Sequence, residues 1–148
     1  MAEPVTDNQL RVRLVTPERT LFESTADAVE LPSKSGSMEV LYGHAPLLAE
    51  LGAGDVIVHG GPDGADAETR YNVNWGFVEV LPGRVTILAN DALKPEEIDT
   101  KRAEEQLDRG MKLWKEAGES EEAYDEALRV IAEAEAKIAS AGDVIKTH

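Results

Sequence analysis

From about Gln9 to Asn90 the apolar residues alternate with polar ones or gather in short runs closed by Gly, Pro, Asp and Asn. That is the grammar of extended strands rather than of helices. Leu10, Val12 and Leu14 fall on one side of such a strand and Arg11 and Arg13 on the other, so Leu10 to Val15 predicts a half-buried strand. The same reading places strands over Thr20 to Glu23, Ala28 to Leu31, Met38 to Leu41, Leu47 to Leu51, Val56 to His59, Thr69 to Val73, Gly76 to Val80 and Val85 to Leu88. Leu81-Pro82-Gly83-Arg84 predicts a type II turn, with Pro setting φ at the second position and Gly accepting a positive φ at the third. Gly60-Gly61-Pro62-Asp63-Gly64 reads as a longer loop tip. Eight or nine short strands at close spacing predict an antiparallel β-sandwich or flattened barrel.

After Lys94-Pro95 the period changes to about 3.6 residues. Pro95 with Glu96, Glu97 and Asp99 predicts a helix start, Pro being tolerated in the first turn and carboxylates being favoured at the positive end of the helix dipole. Ile98, Ala103, Leu107, Gly110, Met111, Trp114 and Ala117 then share one face, and Gly118 is placed to stop the helix in a left-handed conformation. Ser120 is placed to cap a second helix with its apolar face through Tyr124, Ala127, Leu128, Ile131, Ala134, Ile138 and Ala141. So short a link forces an antiparallel hairpin. The expectation is an α+β chain, with a β-sandwich domain over residues 1–93 and a helical hairpin domain over 94–148. The alanine-rich second helix buries little area per residue, which predicts a weakly held hairpin able to detach or extend.

Composition narrows the classes of function. The 148 residues carry 15 basic and 29 acidic side chains, a formal charge of −14, and no cysteine. So acidic a surface repels phosphates and anionic headgroups, which argues against nucleic acid and against a direct lipid anchor. The acidity is shared between the halves: residues 1–95 hold 7 basic and 14 acidic side chains, and residues 96–148 hold 8 and 15. Without cysteine there are no disulfides, no thiolate nucleophile and no Cys-ligated zinc, in keeping with a reducing, cytoplasmic setting. Neither a cationic, apolar leader nor a stretch of about 18 apolar residues is present, so the chain is expected to be neither secreted nor inserted in a bilayer.

Catalytic motifs are missing: no phosphate-binding or dinucleotide loop, no H-E-x-x-H and no G-x-S-x-G. A three-histidine metal site would have to use His44, His59 and the terminal His148, so no metal and no catalytic residue is expected. Three segments exceed what a plain sandwich needs. Leu41-Tyr42-Gly43-His44-Ala45-Pro46-Leu47-Leu48 is an apolar run punctuated by Gly, His and Pro, either a packed turn or a contact surface. Asn74-Trp75-Gly76-Phe77 sets aromatics about a strand glycine, which core packing beside a bulge also explains. At the helix entry Asp99 and Arg102, three apart, are expected to pair on a solvated face.

Taken together, these segments resemble the epsilon subunit family of the rotary F-type ATP synthase, counterpart of the mitochondrial delta subunit. Val15-Thr16-Pro17-Glu18-Arg19-Thr20-Leu21-Phe22 is similar to its opening motif, Gly43-His44-Ala45-Pro46-Leu47-Leu48 to its most recognisable loop, Gly76 to Val80 with Val85 to Ala89 to its closing strands, and Ile98-Asp99 with Arg102-Ala103 to its helix entry. The resemblance implies a non-catalytic rotor part of the central stalk, helping to couple proton flow to ATP synthesis. It implies a sandwich docked on the gamma subunit and the c-ring, and a hairpin that reaches the beta subunit and regulates ATP hydrolysis. It implies a peripheral position on the cytoplasmic face of a bacterial membrane. Met38, Tyr42, His44, Pro46, Trp75 and Phe77 are the implied interface residues, the first three within a loop from Ser37 to His44.

No cofactor is implied beyond ATP as a regulatory ligand of some bacterial members, through residues that correspond here to Ile98, Asp99, Arg102, Ala103 and Arg109. The chain departs from the family at Glu39 and Tyr42, where Gly and Pro are usual, at Asn74-Trp75, and in the second helix. There Glu133 and Lys137 stand at positions of paired arginines, and Glu133 reverses the charge a triphosphate needs. Ser120 to His148 holds seven acidic and three basic residues, a charge that opposes docking on an acidic loop of the beta subunit. Weak or absent ATP binding and weak inhibition are therefore expected. Without the resemblance, a β-sandwich sugar-binding or isomerase-like module and a coiled-coil adaptor fit the same elements.

Overall fold

The computed structural model describes residues 9–147, with side chains described as far as residue 142. The chain groups into two compact units, Met1–Ala92 and Leu93–His148. The first holds eight strands, β1 (Leu10–Val15), β2 (Thr20–Ala26), β3 (Ala28–Ser33), β4 (Gly36–Leu41), β5 (Leu47–Leu51), β6 (Gly54–His59), β7 (Glu68–Leu81) and β8 (Arg84–Leu93). They neighbour one another in the order β2-β1-β8-β7-β5-β3-β4, with β6 pairing both β3 and β7. The alternation that predicts the strands also sets the faces. Leu10, Val12 and Leu14 of β1 and Val85 and Ile87 of β8 are fully buried, while Arg11, Arg13 and Arg84 point outward. Val29, Leu31, Val40, Val56, Val73, Val78 and Val80 complete a dry core of branched side chains, each contributing about 1.5–3 kcal/mol by leaving water.

Three details depart from the sequence expectation. Thr69 to Val73 and Gly76 to Val80 are one 14-residue strand, β7, whose first half pairs β6 and whose second half pairs β5. The strand turns its corner at Trp75, φ 49°, and Gly76, φ 133°. A Cβ at Gly76 would overlap the Leu88 carbonyl oxygen, so β8 passes this bulge at a distance only glycine allows. Second, β1 and β8 run parallel, with Arg11 beside Arg84 and Val15 beside Leu88, within an otherwise antiparallel sandwich. Third, Gly83 does not take the positive φ of a type II turn. Types I and II differ by a flip of the central peptide, and here its carbonyl, Pro82 O, accepts a hydrogen bond from Gly43 N at 2.6 Å.

In the second unit Pro95 opens a 3-10 turn, Pro95–Glu97, rather than the helix itself. The main helix, α1 (Thr100–Glu116), begins after Asp99, whose carboxylate accepts from Arg102 N at 3.2 Å. The spacing of three read as a side-chain pair is thus an N-cap on the backbone. Gly118 stops α1 at φ 58°, and Ser120 Oγ caps α2 (Glu121–Thr147) through Ala123 N at 3.2 Å.

The seam between α1 and α2 is built from small residues. Ala103 and Gly110 of α1 and its C-cap Ala117, seven apart, are buried, and Ala127, Ala134 and Ala141, again seven apart, are buried on α2. A Cβ at Gly110 would lie 2.8 Å from Ile131 Cγ1. Antiparallel counting from that contact sets Leu107 against Ala134, Trp114 against Ala127, Ala103 against Ile138 and Ala117 against Tyr124. Gln106 Nε2, donating to Glu133 Oε2 at 3.2 Å, agrees with this register. Small faces large at every level, so the helices approach closely. The large residues read as a fully apolar face sit at its edge instead: Met111, Trp114, Tyr124 and Leu128 are all exposed by more than 40%.

Candidate docking surfaces

At one end of the sandwich the run after β4 forms a tight turn. His44 N donates to Leu41 O at 3.1 Å, Gly43 has φ 90°, and Gly43 N ties the turn to the Pro82–Gly83 corner. The His44 Nδ1–H donates to Ala45 O at 2.7 Å, which orients the ring locally. Tyr42 lies beside Gly83, with its Cε2 3.6 Å from where a Cβ would stand. Leu41, Tyr42 and Leu47 remain exposed, so this is a stiff, apolar rim.

The segment from Ser37 to His44 is not one loop. Ser37 to Leu41 belongs to β4, and only Tyr42 to Pro46 connects β4 to β5. Met38, paired with Leu31 and packed against the core, is half-buried and about 13 Å of strand away from Tyr42. The fold therefore brings Tyr42, His44 and Pro46 together and sets Met38 apart from them. Trp75 is half-buried at the β7 corner, its backbone N–H donating to Gly52 O at 3.3 Å.

A second surface lies on the outer face of β5, β7 and β8. Val78 and Val80 point inward, so Phe77 points outward and is half exposed. Counting back from the two-residue corner at Pro82 and Gly83 sets Phe77 across from Leu88, also half exposed, and Leu48 on β5 is 70% exposed. Among the interface candidates Phe77 belongs here. Leu88 escaped the sequence reading and Leu48 entered it only as the end of the Leu41 to Leu48 run, although alternation marks both: Leu51 and Ala49 take the inner face of β5, and Val85, Ile87 and Ala89 that of β8.

Among the described residues the polar side chains pair locally on the strands. Arg70 bridges Asp55 at 2.9 Å and Glu68 at 3.2 Å. Burial lowers its pKa, but the hydrogen bonds and charges of the two carboxylates outweigh that and hold it above the ordinary arginine value. His59 Nε2 meets Glu30 Oε2 at 2.7 Å on a half-exposed strand pair. Among the described residues no group of three His, Asp or Glu is placed to hold a metal, and no helix is long and apolar enough to cross a membrane. His148 lies outside the described residues.

The residues named for a nucleotide are spread along α1. The Asp99 carboxylate is taken up by the cap, Ala103 is buried in the helix seam, Ile98 is half-buried, and Arg102 and Arg109 are exposed about 10 Å apart along the axis. Glu133 accepts from Gln106 across the seam.

A family model described as "ATP synthase, Delta/Epsilon chain, beta-sandwich domain" matches residues 9–95. The ATP synthase epsilon chain of Koribacter versatilis is 43% identical over 93 residues, a stretch that covers 62% of each chain and so less than two thirds of that relative. The chloroplastic ATP synthase epsilon chain of Porphyra purpurea is 33% identical over 139 residues, covering 89% of this chain and 95% of that one. The fold is similar to that of a chain in the Euglena gracilis mitochondrial ATP synthase assembly of OSCP, F1 and c-ring. The TM-score is 0.74 at 21% identity, over 95% of this chain and 88% of that one.

Proposed function

The chain belongs to the delta/epsilon family of the ATP synthase, among its epsilon chains, and from that membership we propose that it is a non-catalytic rotor part helping to couple proton flow to ATP synthesis. The observation that carries the reading is the strip Leu48, Phe77 and Leu88. Three large apolar side chains, exposed by 50–70%, share one face of a sheet whose other face is a complete core. A protein surface covers such a strip at low cost, while water does not. The gamma-type subunit is the proposed occupant of the strip, and the rim of Tyr42, His44 and Pro46 is the proposed contact with the c-ring. Met38 and Trp75, both half-buried, support these surfaces rather than form them. The proposed position is peripheral, on the cytoplasmic face of a bacterial membrane, held there through other proteins.

The hairpin is proposed as a weak regulator of ATP hydrolysis through the beta subunit, because the acidic excess after Ser120 opposes an acidic partner loop. ATP binding is proposed to be weak or absent: the Asp99 carboxylate serves as a cap, and Glu133 brings a negative charge where a triphosphate needs a positive one. Capture of a gamma-type subunit by the chain, with and without residues 94–148, tests the docking. Capture by both forms supports it, and capture by neither rejects it. Large activation of ATP hydrolysis on removing residues 94–148 from the reconstituted complex would contradict weak inhibition. Micromolar affinity for ATP in an isothermal titration would contradict the second claim.

A further inference from the structure

On the outer face of β1 and β8 three arginines stand together. The parallel register sets Arg11 directly beside Arg84 and Arg13 beside Thr86, and the antiparallel register with β2 sets Glu23 across from Arg13. Neighbouring strands lie about 4.8 Å apart, and like charges in register oppose strand pairing. Glu23 approaches Arg13 at 3.9 Å, but neither Arg11 nor Arg84 has a carboxylate within 4.0 Å among the described residues. An open groove of about 380 Å³ runs between these side chains. Three of the seven basic residues before position 96 thus gather at one site of a chain that carries 29 acids. The fold leaves Arg11 and Arg84 without a carboxylate in contact among the described residues, although acid is plentiful in the chain.

Beyond the groove the same face of the sheet carries the apolar strip. Along β8 the outward positions run Arg84, Thr86, Leu88, and Phe77 and Leu48 follow on β7 and β5. Glu79 stands opposite Leu48 in the row of Thr86, and Glu50, opposite Phe77, is bridged by Lys34 at 3.1 Å, so the arginines hold the basic corner of this face. A small anion diffusing freely meets the field of a chain at −14, whereas a protein already seated on Leu88, Phe77 and Leu48 brings its carboxylates in at short range. Apolar contacts at the centre and guanidinium groups at the rim are the usual anatomy of a protein interface.

We propose that Arg11, Arg13 and Arg84 receive an acidic segment of the rotor subunit that covers the Leu48–Phe77–Leu88 strip. Bound carboxylates relieve the Arg11–Arg84 repulsion, and a basic cluster at one corner of the apolar strip fixes which way round the partner sits. The proposal rests on the docking reading above and adds the chemistry of the partner's contacting surface.

The test is capture of the gamma-type subunit of the same complex by the full chain at about 0.03 M and about 0.3 M salt, since screening lengths differ roughly threefold between them. The wild-type chain is expected to lose at least about tenfold in affinity at the higher salt. Arg11→Glu with Arg84→Glu is expected to lose at least about tenfold at low salt and to show a flattened salt dependence, while Arg11→Lys with Arg84→Lys keeps most of both. Arg19→Glu, an equal charge change per site at the opposite end of β1, is expected to leave capture within about twofold of wild type. All these side chains are exposed, and an unchanged circular dichroism spectrum checks that the fold is kept. Capture by the double reversal equal to that by wild type overturns the proposal and leaves the docking reading intact. Failure of the wild-type chain itself to capture overturns both. Tight binding of inorganic phosphate to the free chain, lost in the double reversal while capture is unaffected, marks a small-anion site and also overturns it.

Discussion

Replacing Gly76 by alanine isolates the close approach that shapes the sandwich. The new methyl group meets two penalties. The first is conformational: φ of 133° lies in a region an L side chain rarely adopts, at a cost of about 1–3 kcal/mol. The second is steric, because the Cβ overlaps the backbone oxygen of Leu88 and stands 3.2 Å from Ala89 Cα. A backbone carbonyl in a paired strand has no rotamer to yield, so β8 itself must shift, at a further cost of about 1–3 kcal/mol. Gly36 supplies the matched control. Its φ of 127° carries a similar conformational cost, but nothing lies within 4 Å of its Cβ position. Gly76→Ala is therefore expected to destabilise the sandwich by about 2–6 kcal/mol and Gly36→Ala by about 1–3 kcal/mol. Urea unfolding followed by Trp75 fluorescence, in a background where Trp114 is replaced by Phe, measures both. Equal losses for the two variants within about 0.5 kcal/mol, the usual scatter of such comparisons, would refute the steric half of the reasoning.

Other sites give sharper local tests. Ala134→Leu places a second leucine where Leu107 already fills the helix seam, and should loosen the hairpin by about 1–3 kcal/mol, read as earlier thermal loss of helical circular dichroism. Asp99→Ala removes the cap on Arg102 N and should cost about 1 kcal/mol in the same measurement, with Asp99→Asn keeping most of it. Arg70→Met strips Asp55 and Glu68 of their guanidinium. Asp55 keeps only the 3.2 Å hydrogen bond from Asn72 Nδ2, and urea unfolding should show a loss of about 1–3 kcal/mol.

The pattern of apolar positions carried most of the first unit. Leu10–Val15 and Leu47–Leu51 have the predicted limits, because alternation against a single core leaves one solution for each. It misread β7 as two strands. Trp75 and Gly76 look like punctuation, and nothing local says that the chain resumes as the same strand with β5 in place of β6 as its partner. The candidate surfaces were half legible. Tyr42, His44 and Pro46 stood out by composition, whereas Leu48 and Leu88 hid among leucines that are buried, and the Arg11–Arg84 pair exists only once β1 and β8 lie side by side.

By itself the sequence determined which strand residues face inward, where the period changes from two to 3.6, and the net acidity of the chain. These are properties of spacing and composition, which need no partner strand to be defined. Tertiary structure alone decided the parallel placement of β8, the peptide orientation at Pro82–Gly83, the register that sets small against large in the hairpin, and the gathering of arginines in an acidic chain. Each of these depends on which distant segment supplies the neighbouring atom: Gly43 N for Pro82 O, Leu88 O for Gly76, Ile131 for Gly110. Such pairings span tens of residues, and local propensity holds no record of them.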